Sequence, residues 1–290
     1  MPTSVPVDVF NPGQVFACLG ILEALEVLAG PVEGGFDWSD PADVRFRLRG
    51  GCDDPVGEVL SFLTEAEVRV LVPESIPVEL GKWGLSASPC SGPYPLAEPK
   101  ADVLPVEFVR DGTCLRVDHW GDTSRRDRAK FWAGAGGYPA GALMRDALDL
   151  VRGRADEDAS DPFAFAAPQS SNFRLDRRGS YVPLDAGFSL NKHANVVAVG
   201  YPWVEILATV GLSYARPTRE AKLLYRYGIA GRAEGFSLEA SYLPPPLLRL
   251  ALGADDLGAF PQRTFRMHLD WPGKEGQARV VTTVSEESNP

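Results

Sequence analysis

VPVDVFNPGQVFACLGILEALEVLA, residues 5–29, changes its hydrophobic period at Asn11. Before it, Val5, Val7 and Val9 alternate with Pro6, Asp8 and Phe10, the period of a strand expected over Ser4–Phe10. After it the period is helical. Asn11 stands at the N-cap, Pro12 at N1 where its missing N–H costs nothing, and Gln14 at N3, where it can reach back as in a capping box. Phe10 and Val15 fall at the two positions of a hydrophobic staple. Val15, Phe16, Leu19, Ile21, Leu22, Leu25 and Leu28 cover most of the circumference, and only Gln14, Glu23 and Glu26 are strongly polar. A helix that is apolar nearly all round belongs in a core. It is expected to run to about Ala29 and to stop at Gly30–Pro31, so the rest of the chain must close around it.

Working outward, Val44–Leu48 alternates as a second strand, Asp54–Pro55 opens a helix through about Thr64, and Glu67–Val72 reads as a strand. Pro73–Pro105 is rich in Pro, Gly and Ser and is expected to be a long irregular loop with at most one short helix. Val106–Arg110 and Thr113–Val117 flank Asp111–Gly112, a strong hairpin signal. A helix is expected over Ala140–Val151, an acidic linker over Gly153–Pro162, and strand-like pieces near Phe173 and Phe188. Pro202–Val210 reads as a short apolar helix stopped by Gly211, with Glu205, its one charge, read as an exposed position on a half-buried face in preference to a buried functional acid. Strands are expected over Arg216–Ala230 and Phe236–Tyr242, a helix over Pro244–Leu252, and a closing β-hairpin from Thr264–Trp271 and Ala278–Val284. Strands and helices mix without a βαβ rhythm. The expected class is α+β, with mixed, mostly antiparallel sheets, a buried N-terminal helix and a C-terminal β-hairpin. The linker divides the chain into residues 1–153 and 163–290, two α+β parts that can also form one continuous domain.

The net charge is −10, which repels phosphate at long range unless the cations gather on one face. An acidic chain with local basic patches suits a subunit of a larger assembly better than a lone nucleic-acid binder. No apolar run reads as a membrane span, and the N-terminus lacks the basic and apolar regions of a signal peptide. Cys18, Cys52, Cys90 and Cys114 are far apart with no CxxC pair, which argues against zinc, and Cys18 falls in the apolar helix as a buried free thiol. These features fit a cytoplasmic protein with no membrane partner, and nothing calls for a cofactor.

Cations and aromatic rings concentrate in DHWGDTSRRDRAKFWAGAGG, residues 118–137. Arg125, Arg126, Arg128 and Lys130 are interleaved with Trp120, Phe131 and Trp132 and follow the expected hairpin. Arginine beside aromatic rings can hold a nucleic-acid backbone and stack on bases; the alternative is a surface loop anchored by its tryptophans. Arg174, Arg177 and Arg178 form a second cluster, followed by Lys192 and His193. No Walker A, GxSxG, HExxH or GxGxxG motif is present. Of the three histidines, His268 is expected to be exposed and His193 to lie in a loop; His119, between Asp118 and Trp120 and close to Asp122, is the one placed to bind a metal or move a proton. A small metal-dependent hydrolase or nuclease using Asp118, His119 and Asp122 is therefore the alternative to a non-catalytic binding subunit.

Four stretches carry a resemblance. VDVFNPGQVFACLGILEALEVL, HWGDTSRRDRAKFWAGAGG, LDRRGSYVPLDAGFSL and YPWVEILATVGLSYARP, in that order, resemble the third member of the Csb group of CRISPR-associated proteins, from type I-U (I-G) systems. The resemblance covers about Val7 to Pro217 and departs at Leu19–Gly20, where CG is expected, and at His119–Trp120, where WW is expected. It implies a large-subunit-like component of a Cascade-type effector complex, without catalysis of its own. Its partners would be the other effector subunits, guide RNA, target DNA near the flanking motif, and the helicase-nuclease recruited to the complex. In such complexes base pairing reads the sequence and protein reads the short motif and the backbone. The resemblance transfers no functional residue, so the nucleic-acid contacts named above rest on charge and aromatic content.

Overall fold

The computed structural model describes residues 3–74, 78–90, 104–119, 138–169, 171–178, 198–270 and 280–287. In chain order the first elements are β1 (Thr3–Pro6), α1 (Pro12–Ala29), β2 (Val32–Asp37), β3 (Arg45–Gly50), α2 (Pro55–Glu65) and β4 (Glu67–Pro73). The middle holds β5 (Ser86–Cys90), β6 (Val106–Arg110), β7 (Thr113–Val117), α3 (Ala140–Val151), α4 (Ala155–Asp158), β8 (Ala167–Pro168) and β9 (Val199–Gly200). The last part holds α5 (Pro202–Tyr214), β10 (Thr218–Ala221), β11 (Leu224–Arg232), α6 (Pro245–Leu252), β12 (Gln262–Asp270) and β13 (Val280–Glu286). The class is α+β. Among the described residues, every strand pair is antiparallel except β2 with β11 and β4 with β5.

A seven-stranded sheet runs β1-β3-β2-β11-β12-β13, with β10 also paired to β11. It joins strands from before residue 153 to strands from after residue 163, so the acidic segment between them does not separate two sheets. A four-stranded sheet runs β5-β4-β6-β7, and β8 pairs with β9. One continuous core serves both large sheets.

α1 is the centre of that core, buried from Pro12 through Leu25. By length and composition it is apolar enough to cross a membrane, yet 78% of it is buried inside the fold, which accounts for its apolarity. Even Glu23, 1% exposed, is buried, and both its oxygens accept from Arg249 of α6 at 2.6 Å. α5 lies against α1 so closely that a methyl at Gly20 would overlap the Leu207 carbonyl, and one at Gly211 would overlap the Phe16 carbonyl. Gly211 is therefore a contact point within α5 and not its stop; the helix continues to Tyr214. Phe10, at the staple position, rests edge-on against Phe265, and Tyr227 stacks on Phe265 while its hydroxyl donates to the Val9 carbonyl at 2.7 Å.

Several expectations need correction. Asn11 makes no side-chain cap, and Gln14 reaches past it to accept from the Asp8 N–H at 2.7 Å, because the Asn11 amide is drawn to residues 176–177. β2, VEGGFD, was not expected; a methyl at Gly35 would overlap the Ser241 carbonyl, so that strand needs a bare backbone. Residues 238–241 form a 3-10 turn in place of the strand expected over Phe236–Tyr242, and Leu243, just beyond it, is bridged to the sheet at Gly34. The strand expected over Arg216–Ala230 is a hairpin of β10 and β11 with no Gly or Pro at its turn. The acidic linker contains α4, whose Asp158 is buried, accepting from Trp203 Nε1 at 2.7 Å and pairing with Arg154. Part of the expected long loop forms β5, parallel to β4.

Candidate functional site

Three segments meet where α1 and α5 begin. The N-terminus of α1 brings Asn11, the loop 171–178 brings Asp176 and its neighbours, and the first turn of α5 brings Glu205. Asn11 is fully buried and works in both directions: Nδ2 donates to Asp176 Oδ1 at 2.9 Å, and Oδ1 accepts from the Arg177 N–H at 3.1 Å. Asp176, 5% exposed, also accepts from the Arg178 main chain at 2.7 Å and from its guanidinium at 2.7 and 3.1 Å. A methyl at Gly13 would overlap the Leu175 carbonyl, so the NPG sequence lets this loop lie on the helix start.

Glu205 closes the network from the other side. Its Oε1 accepts from the Leu175 and Asp176 N–H groups at 3.0 and 3.1 Å. Its Oε2 is buried and has no hydrogen-bond partner. Burial, aided by the nearby Asp176 charge, outweighs the backbone N–H bonds and lifts its pKa from 4.5 to about 8. At neutral pH the side chain is thus a carboxylic acid. Oε1 is occupied by two N–H donors, so the proton belongs on Oε2. The periodicity of α5 placed Glu205 on a wet face; the loop 171–178, distant in sequence, covers it instead.

Glu205 is one of the residues around a cavity of about 280 Å³ bounded by the loop 171–178, the β8–β9 pair and the start of β13. Gln169, 5% exposed, lines it with both amide atoms unpartnered, although its main-chain N–H is held by the Ala198 carbonyl at 2.8 Å. Arg174 and Arg177 line it too, and Val281 and Thr282 form part of its wall. Arg174 takes a positive φ of 59°, with its N–H on Asn172 Oδ1 at 3.0 Å.

No protein-family model matches this chain, and neither a curated protein nor a solved structure is significantly similar to it.

The three arginines of the second cluster have different fates. Arg174 and Arg177 reach the cavity, but Arg178 is committed: it pairs with Asp176, donates to the Phe163 carbonyl at 2.7 Å, and lies 3.6 Å over the Tyr201 ring. In these contacts Arg178 clamps the loop 171–178 to the body of the fold. Trp120, Asp122, Arg125, Arg126, Arg128, Lys130, Trp132, Lys192 and His193 lie outside the described residues. His268 is exposed, as expected. His119 is fully buried, edge-on to Phe173, and burial together with the Arg216 charge lowers its pKa from 6.5 to about 3. It is a neutral core residue, and Asp118 beside it is fixed through its N–H to Ser213 Oγ at 3.1 Å. Among the described residues, no three His, Cys, Asp or Glu side chains come together as a metal site would require. Sequence reasoning missed Gln169 and Asn11; Asn11 was read as a cap, and Gln169 gave no signal.

Proposed function

We propose that the chain is a non-catalytic subunit of a type I-U (I-G) RNA-guided effector complex, binding nucleic acid near the flanking motif, with Arg174 and Arg177 among its contacts. One observation carries the reading. Three of the four stretches that resemble the Csb-group protein, those beginning at Val7, Leu175 and Tyr201, converge on the Asn11–Asp176–Glu205 network, beside a polar cavity lined by two arginines. A motif set that meets in space at one cleft is what a shared binding site would leave in a sequence. Arginine is suited to phosphate because its fork donates two parallel hydrogen bonds. The net charge of −10 limits what the isolated chain can hold, so the complex supplies the remaining contacts. Target DNA, guide RNA, neighbouring subunits and the recruited helicase-nuclease are the partners this reading assigns.

The test is recovery of the tagged protein from its native cell, with identification of what comes with it. The reading predicts short guide RNA and further effector subunits in stable proportion. A protein recovered alone, with no RNA above background, overturns it.

A further inference from the structure

We propose that Arg174 is kept in a left-handed backbone conformation so that, with Arg177, it seats one phosphate group of a nucleic-acid strand in the cavity beside the loop 171–178, and that Asn172 is the residue that positions it. This deepens, and rests on, the reading of the chain as a nucleic-acid-binding subunit.

Arg174 has a φ of 59°. In that region a Cβ crowds the neighbouring carbonyl; glycine occupies it freely and asparagine or aspartate tolerate it, whereas a long side chain there is strained. The fold needs the reversal at this point, because the next two N–H groups, of Leu175 and Asp176, turn to Glu205 Oε1 at 3.0 and 3.1 Å. Glycine would make the same turn without strain, so the turn accounts for the backbone and not for the arginine. Strain retained in this way is found where a side chain is needed for binding. Among the described residues, the other non-glycine positions at positive φ are Asp111, in the turn between β6 and β7, and Ala254, after α6, whereas Arg174 lines the cavity. Asn172 holds the turn in place, its Oδ1 accepting from the Arg174 N–H at 3.0 Å.

The charges around the cavity favour an anion. Arg177 is exposed; its main-chain N–H is fixed on Asn11 Oδ1 at 3.1 Å, and its guanidinium contact to the Phe10 carbonyl is long, 3.5 Å, which leaves donors for a ligand. Two acids also line the space, and neither presents a free charge to it. The Asp176 side chain is 1% exposed and its carboxylate is met by the Arg178 fork and the Asn11 amide. Glu205, equally buried, is sealed beneath the loop by the two N–H groups on Oε1. The accessible charge is therefore that of the two arginines, three residues apart on one clamped loop. A guanidinium fork gives phosphate two parallel hydrogen bonds, which lysine cannot. At about 30 Å³ per water, the 280 Å³ cavity holds the equivalent of on the order of nine waters, room for a phosphate group and the waters that bridge it.

The experiment uses the full chain in low salt with short labelled single strands, one set DNA and one RNA, and reads affinity beside thermal melts. Arg174→Gly and Arg174→Ala both remove the guanidinium and should weaken binding roughly tenfold on at least one kind of strand, the set that responds identifying the source. Only glycine also removes the strain, so Arg174→Gly should melt about 2 °C above Arg174→Ala. Asn172→Ala leaves every charge in place; it should weaken binding about threefold in the native chain and not at all in Arg174→Gly, the coupling of a positioning residue to the group it positions. Equal melting of the glycine and alanine variants overturns the strained arginine, and an equal loss on Asn172→Ala in both backgrounds overturns the role of Asn172. Binding that is present in the wild-type protein and unchanged in Arg174→Gly overturns the phosphate seat and leaves the nucleic-acid reading standing. Binding of the wild-type protein to neither strand overturns the nucleic-acid reading and the phosphate seat together.

Discussion

The middle of α5 and its first turn are built on opposite rules. In the middle, backbone lies on backbone: Gly20 and Gly211 let α1 and α5 touch, and the buried Thr209 hydroxyl returns its hydrogen to the Ile206 carbonyl at 2.6 Å. At the first turn a carboxyl is sealed from water with one oxygen unmatched, beside an unmatched amide. The crossing gains stability from close packing, with side-chain volume set by the space available. The cleft keeps polar atoms that an apolar replacement would relieve. A protein that can satisfy Thr209 about one turn away has no packing reason to leave Glu205 half satisfied, and an unsatisfied buried group of this kind points to function.

Adding bulk at the crossing should have the largest effect. Gly20→Val must push apart two backbones, and overpacking against a carbonyl that cannot move aside should cost about 4 kcal/mol or prevent folding; a urea melt within 1 kcal/mol of the native protein would break the comparison. Next in size is the pH response of the cleft. The folded pKa of Glu205 lies above its ordinary value, so the contribution of its acid form is fully present below about pH 4.5 and is lost as pH rises through about 8. Glu205→Gln, which needs no proton, should therefore gain roughly 4 kcal/mol of stability over the native protein between pH 4.5, where the two are about equal, and pH 8. Urea melts at the two pH values check this, and parallel profiles would show that Glu205 titrates normally.

Asp176→Ala comes third. It strands the Asn11 amide and the partly exposed Arg178 guanidinium, an expected loss of about 2 kcal/mol after allowing for water around Arg178. Smallest in stability is Arg174→Ala with Arg177→Ala, each expected to change the melt by less than about 0.5 kcal/mol. Each should lower the salt dependence of nucleic-acid binding by about one counterion if it meets a phosphate. An unchanged salt slope would move the phosphate contact elsewhere.

The crossing was legible in the sequence and the cleft was not. Residues 12–29 announce a buried helix through their composition alone, and Asp111–Gly112 announces its hairpin. Local patterns of this kind depend on neighbours within a turn or two. Glu205 depends on N–H groups of residues 175 and 176, which no local pattern can bring to it. Asn11 looked like an N-cap because capping is local, and was diverted by a loop 165 residues away. Arg177 and Arg178 are adjacent and chemically identical, yet Asp176 and Tyr201 take one of them out of use as a ligand group.

The most direct test is photo-crosslinking in the assembled complex, with strands carrying one photoreactive base and the crosslinked peptides sequenced. The account predicts crosslinks in residues 171–178 and 198–205, reduced when Arg174 and Arg177 are both changed to alanine. Crosslinks found only in other segments, with both of these clean in a complex that binds its target normally, would contradict it.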